Sequence, residues 1–195
     1  MQFNYFLDNN AGWASLIFED KNVSLNYSIS YCMGDNLNEL LSGIIGITGS
    51  EFQIHSIENI HEEFTFEKKE FEWNIDQEGS YVKFLFSKIN DSNLINLKII
   101  ELDDDDEEKC VYNDNVKLTD LIENILFSCS EILKKYGIIG YSLNFWNDFP
   151  VVYYLILKDF IKNEIKCDIF IEINNNTEQE MFRTNLLKEI EYLKS

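Results

Sequence analysis

Proline is nearly missing from this chain: Pro150 is the only one in 195 residues. No Gly- or Ser-rich tract takes its place as a linker, and the length is enough to bury a core without staples, so 1–195 reads as a single domain. Histidine is almost as scarce. His55 and His61 are the only two, six positions apart, which puts them on different sides of a helix and too far apart along a strand to share a metal. The four cysteines, Cys32, Cys110, Cys129 and Cys167, form no Cys-x-x-Cys pair. Buried free thiols are expected, not disulfides or metal ligands. Gly-x-Ser-x-Gly, His-Glu-x-x-His and glycine-rich phosphate loops are also missing, so no catalytic residue and no cofactor is assigned. Cys129, between Ser128 and Ser130, has no histidine in view to activate it. No stretch approaches the ~20 apolar residues of a membrane span, and Met1 to Asp8 lacks a basic region followed by an apolar one, so a cytosolic protein is expected.

Positive charge is the last shortage. Sixteen Lys and Arg face 35 Asp and Glu, a formal charge of −19. Such a surface repels phosphate, which argues against nucleic acid and anionic membranes as partners, whereas a basic protein would be steered toward it. Acidity of this kind also serves solubility alone.

What is present is alternation. Gln2 to Asp8 and Trp13 to Glu19 read as a hairpin, and Val23, Leu25, Tyr27, Ile29 and Tyr31 share one strand face opposite a row of serines and Asn26. Asp35 is placed to cap a helix carrying Leu37, Leu40, Leu41, Ile44 and Ile45, loosened toward its end by Gly43, Gly46 and Gly49. Residues 50–69 suit neither period and read as a loop leading into a strand. A meander follows, with Phe71, Trp73 and Ile75, then Val82, Phe84 and Phe86, then Ile95, Leu97 and Ile99 each on one face. Lys109 to Tyr112 adds a short edge strand. Leu118 to Tyr136 repeats at helical spacing, with Thr119 as cap and Gly137 as stop, and Pro150 opens a buried helix to about Lys162. Lys166 to Ile173 has strand character, and Thr177 with Glu180 is a capping box for a last helix. The predicted fold is α+β: one antiparallel sheet of about six or seven strands with helices packed on one face.

Two stretches are candidates for function. Asp103, Asp104, Asp105, Asp106, Glu107 and Glu108 follow the meander directly. They lack the central glycine and spaced ligands of a calcium loop, and read either as a hydrated loop that discourages edge pairing or as a docking surface for a basic partner, with Glu70, Glu72 and Asp76 extending it. In the second stretch Tyr141, Phe145, Trp146 and Phe149 crowd a loop expected between two helices; these rings close the core or, where Tyr141 and Trp146 are exposed, supply a binding hot spot. A competing class is a small enzyme or ligand-binding module with a pocket lined by Tyr27, Tyr31, Trp73 and Phe84.

Gly12-Trp13, Ser30-Tyr31 before Asp35-Asn36-Leu37, Phe71-Glu72-Trp73, and Tyr136 to Tyr141 followed by Trp146 to Pro150 resemble a group of uncharacterised bacterial proteins, some of them regarded as immunity proteins of polymorphic toxin systems. The likeness runs to about Lys162 and contains no catalytic signature. It implies a class, a binder that blocks another protein. Together with the charge, the expectation is a non-catalytic protein, monomeric or weakly dimeric, whose basic partner is most concretely a cognate toxin such as a nuclease.

Overall fold

The computed structural model describes residues 1–9, 11–30, 32, 34–49, 68–77, 79–90, 92–102, 107–163 and 186–195. The expectations for Tyr31, for 50–67 with both histidines, for Asp103 to Asp106, for the strand over 166–173 with Cys167 and for the capping box at Thr177 and Glu180 lie outside the described residues.

The first three strands, β1 (Gln2–Leu7), β2 (Trp13–Asp20) and β3 (Val23–Ser30), form an antiparallel meander in the order β1-β2-β3. Its register sets Phe3 opposite Phe18, Tyr5 opposite Leu16 and Leu7 opposite Ala14, all buried, so every second residue enters the core as the alternation requires. Helix α1 (Asn36–Thr48) follows, capped by the Asp35 carboxylate, which accepts from the Asn38 N–H at 3.3 Å, and closed by Gly49 in the left-handed conformation. Strands β4 (Glu70–Asp76), β5 (Tyr81–Lys88), β6 (Leu94–Leu102) and β7 (Glu108–Lys117) make a second antiparallel sheet in sequential order.

The seven described strands therefore lie in two sheets, of three and four strands, where one sheet was expected. Periodicity shows that a strand has one buried face. It does not show which strands exchange hydrogen bonds, and here the two apolar faces bury one another instead of extending one ladder. Phe3 meets Trp73 and Phe84 at ring-centroid distances of 6.3 Å, Tyr27 meets Phe84 at 5.9 Å, and Phe18 meets Tyr112 at 4.7 Å. Strand β3 crosses the second sheet. The turn before it pairs Lys21 with Asp114 of β7, Tyr27 donates to Glu101 of β6 at 3.1 Å, and the Ser28 N–H donates to Gln77, just past β4, at 3.3 Å.

Helix α2 (Leu118–Phe145) lies along β1, α1 on β4, α3 (Val151–Asn163) against both α1 and α2, and α4 (Leu186–Lys194) on α3. Three local expectations change. Strand β7 is longer than the short edge strand over 109–112, because it pairs along the whole of β6 through a bulge at Ile99 and Ile100. Thr119 does not cap α2. Asn93, from the β5–β6 turn, accepts from the Thr119 N–H at 3.2 Å with its side chain and from the Leu118 N–H at 2.9 Å with its backbone carbonyl. Gly137 kinks α2 at φ 68°, ψ 177° without ending it; the helix resumes because Tyr141 and Phe145 beyond the kink are core residues. The free state of Cys32, Cys110 and Cys129 agrees with expectation, but Cys32 and Cys110 are exposed.

Candidate protein-docking surface

The outer face of the four-stranded sheet carries the side chains that alternate away from the core. At one end its register builds a single cross-strand row, Asp76, Tyr81, Leu102 and Glu108. Tyr81 is 48% exposed at the centre of that row, and Glu107 and Glu108 are exposed at its edge. The six consecutive acids begin where β6 ends at Leu102 and run into the first residue of β7. Next to the row, Lys83 reaches Glu108 Oε1 at 3.1 Å. On the inner side Glu101 accepts from the Tyr27 hydroxyl, whose ionisation is pushed well above its ordinary range by burial and by that carboxylate.

Glu72 is exposed on the same face, but its row is Leu85, Lys98 and Asn113. Given strand and residue spacings, that sets it roughly 20 Å from Glu108. With Lys83 and Lys98 between them, the anionic character is concentrated at the Asp76–Glu108 end and does not spread over the face. Tyr81 was missing from the sequence candidates because it opens a strand after a turn; only the cross-strand register places it among carboxylates.

The aromatic stretch splits in two. Tyr141 has no exposed surface, and its ring packs on Phe145 at 5.6 Å and on Phe149 at 5.3 Å, so it offers nothing to a partner and is removed from the docking candidates. Trp146 is 54% exposed, at the end of α2 with φ 60°, a left-handed conformation that a bulky side chain rarely adopts. Its neighbours anchor the corner. Asn147 donates to the Gly34 carbonyl at 3.3 Å, Ser142 to Asp148 at 3.1 Å, and the Gly12 N–H to the Asn144 carbonyl at 2.6 Å.

Of the residues expected to line a pocket, Tyr27, Trp73 and Phe84 fill the core instead. Trp73 and Phe84 pack at 5.3 Å with Tyr27 against Phe84, and the Trp73 indole donates to the Asn36 carbonyl at 3.0 Å. Cys129 lies buried near Tyr5, Tyr141 and Tyr154, and burial pushes its thiol up to about 12, away from the thiolate form. The flanking hydroxyls are engaged: Ser128 bonds the β1 backbone, and Ser130 bonds the Tyr154 hydroxyl at 2.8 Å. Among the described residues no three His, Cys, Asp or Glu side chains come together as metal ligands, and no helix is long and apolar enough to cross a membrane.

No protein-family model, curated protein or solved structure matches the chain.

Proposed function

We propose that this is a non-catalytic acidic binding protein that inhibits a basic partner protein by docking it at the Asp76–Glu108 end of the four-stranded sheet. Its most concrete form is a cytosolic immunity protein, monomeric or weakly dimeric, that neutralises a toxin such as a nuclease. The observation that carries the reading is the row Asp76, Tyr81, Leu102, Glu108, in which an exposed aromatic ring and an apolar neighbour sit between carboxylates, with exposed Glu107 next to Glu108. Carboxylates set the encounter rate and exclude anionic partners, while a half-exposed tyrosine is the residue type that holds a complex once formed. The overall charge of −19 acts in the same direction, and the free, exposed Cys32 and Cys110 suit a reducing compartment.

The test begins with the protein captured from the source cell at low salt, then purified. Replacing Asp76, Glu107 and Glu108 by their amides should slow its association about tenfold and flatten the salt dependence, while Tyr81→Ala should raise the dissociation rate. Unchanged association of the neutralised variant at every salt concentration overturns the reading, as does a captured protein that is itself acidic.

A further inference from the structure

We infer that the corner where α2 meets α3 is a second docking point for the same basic partner, taking an apolar segment flanked by Lys or Arg. The inference rests on the proposed function and adds to it a place and a chemistry. Beyond the Gly137 kink, Ile139 and Leu143 stand one turn apart on α2 and Trp146 follows three residues later. They are 76%, 71% and 54% exposed. Single exposed hydrophobes are ordinary on a protein surface, but Ile139 and Leu143 at helical contact positions, with Trp146 as the cap just beyond, make a patch.

The patch has an anionic rim. Asp148 is the only charged residue between Gly137 and Leu157. The Asn147 hydrogen bond to Gly34 folds this corner onto the start of α1, where Asp148 and Glu39 both act electrostatically on Asp35. Among the described residues none of these three carboxylates has a cationic partner. Burial holds the Asp35 and Glu39 carboxyls above their ordinary range, with their neighbours adding to the effect at Asp35, so a cation brought here relieves an existing penalty. Asp35 also acts on the buried Tyr5 and Tyr141 hydroxyls, which stay neutral and so supply no countercharge from that side.

A second copy of the chain is the weaker occupant, since each copy carries a formal −19. A tryptophan at a left-handed position, where glycine would be relaxed, points the same way: the chain accepts local strain to place a large, half-exposed ring at this corner.

The experiment uses the whole chain, isotope-labelled, with two synthetic amphipathic peptides: one of leucine and lysine, and a twin with glutamate in place of lysine. The lysine peptide should shift the Trp146 indole and the amides around Leu143, Asp148 and Asp35. Leu143→Ser and Asp148→Asn should each weaken it about tenfold, and the glutamate twin should leave these signals unmoved. Shifts confined to Tyr81, Glu107 and Glu108 overturn the corner and leave the proposed function standing. Silence at both places counts against both. Equal binding of the twin, or a dimer in sedimentation that Leu143→Ser dissociates, overturns the corner as a site for a basic partner.

Discussion

The N–H of Tyr5, on the outer edge of β1, donates to the Ser128 hydroxyl in the middle of α2 at 3.0 Å. The same hydroxyl donates to the Phe3 carbonyl at 3.3 Å, and the Phe3 N–H reaches the Asn124 side chain at 3.3 Å. A strand edge that would otherwise offer an unpaired ladder is thus satisfied by helix side chains.

Ser128→Ala should therefore cost about 1–3 kcal/mol, because it leaves a buried donor and a buried acceptor unpaired. Urea unfolding measures it. A loss of a few tenths would mean that the helix covers the edge by packing alone.

Gly43 of α1 stands against the ring of Phe71 so closely that a methyl group would coincide with it. Sequence alone makes this glycine a residue that loosens the helix; in the fold it is the point where α1 seats on β4. Gly43→Ala should destabilise by about 1–3 kcal/mol despite alanine's better helix propensity, and Phe71→Leu should recover part of that in the double variant. A stabilised Gly43→Ala protein would show the contact to be slack.

Asp35 joins a useful cap to an unfavourable charge. Its carboxyl is raised above the ordinary 3.8 mainly by burial, with the Asn38 N–H opposing and Glu39 and Asp148 adding to the rise. The folded chain then binds this proton more tightly than the unfolded one, so the contribution is complete below 3.8 and is lost as pH climbs through the raised value. Asp35→Asn keeps the cap and should flatten stability over that window. Asp35→Ala should lie about 1 kcal/mol below Asp35→Asn at every pH, having lost the cap as well. Denaturant midpoints of the three proteins across acid pH distinguish the cases.

Tyr5 and Tyr141 bury their hydroxyls beside one another, short of full hydrogen-bond geometry, and burial raises both well above 10.0. Above that pH the unfolded chain ionises where the folded one does not, so stability falls as pH rises. Tyr5→Phe should be neutral or stabilising by up to about 1 kcal/mol at pH 7 and should lessen the alkaline loss. Strong destabilisation at neutral pH would mean that the hydroxyl has a partner in solution.

Trp146→Gly should raise stability by about 1 kcal/mol, since glycine carries no penalty at φ 60°, while removing the ring from the docking corner. Thermal unfolding checks the first effect and the lysine-peptide titration the second. Loss of stability would show the ring to be structural.

Much of the chain was legible locally. The buried faces of β1 to β6 follow the alternation, with Ser30 and Ile100 buried out of phase, and Asp35 caps α1 where the sequence puts it. Of the site residues, Trp146 and Glu108 are exposed as a surface role requires, and Tyr141 is not. The two aromatics sit in one short stretch, and the helix that continues past Gly137 separates them by turning one inward.

By itself the sequence determined the elements, their buried faces and the excess of negative charge, because periodicity, turn residues and composition act over a few neighbours. Only the tertiary structure decided that the strands form two sheets, that Asn93 starts α2, that Tyr81 stands among carboxylates and that Asn147 joins Gly34 beside Asp35. Each of these joins residues distant along the chain, and such pairings are selected by packing and by satisfaction of backbone groups, which no local pattern encodes.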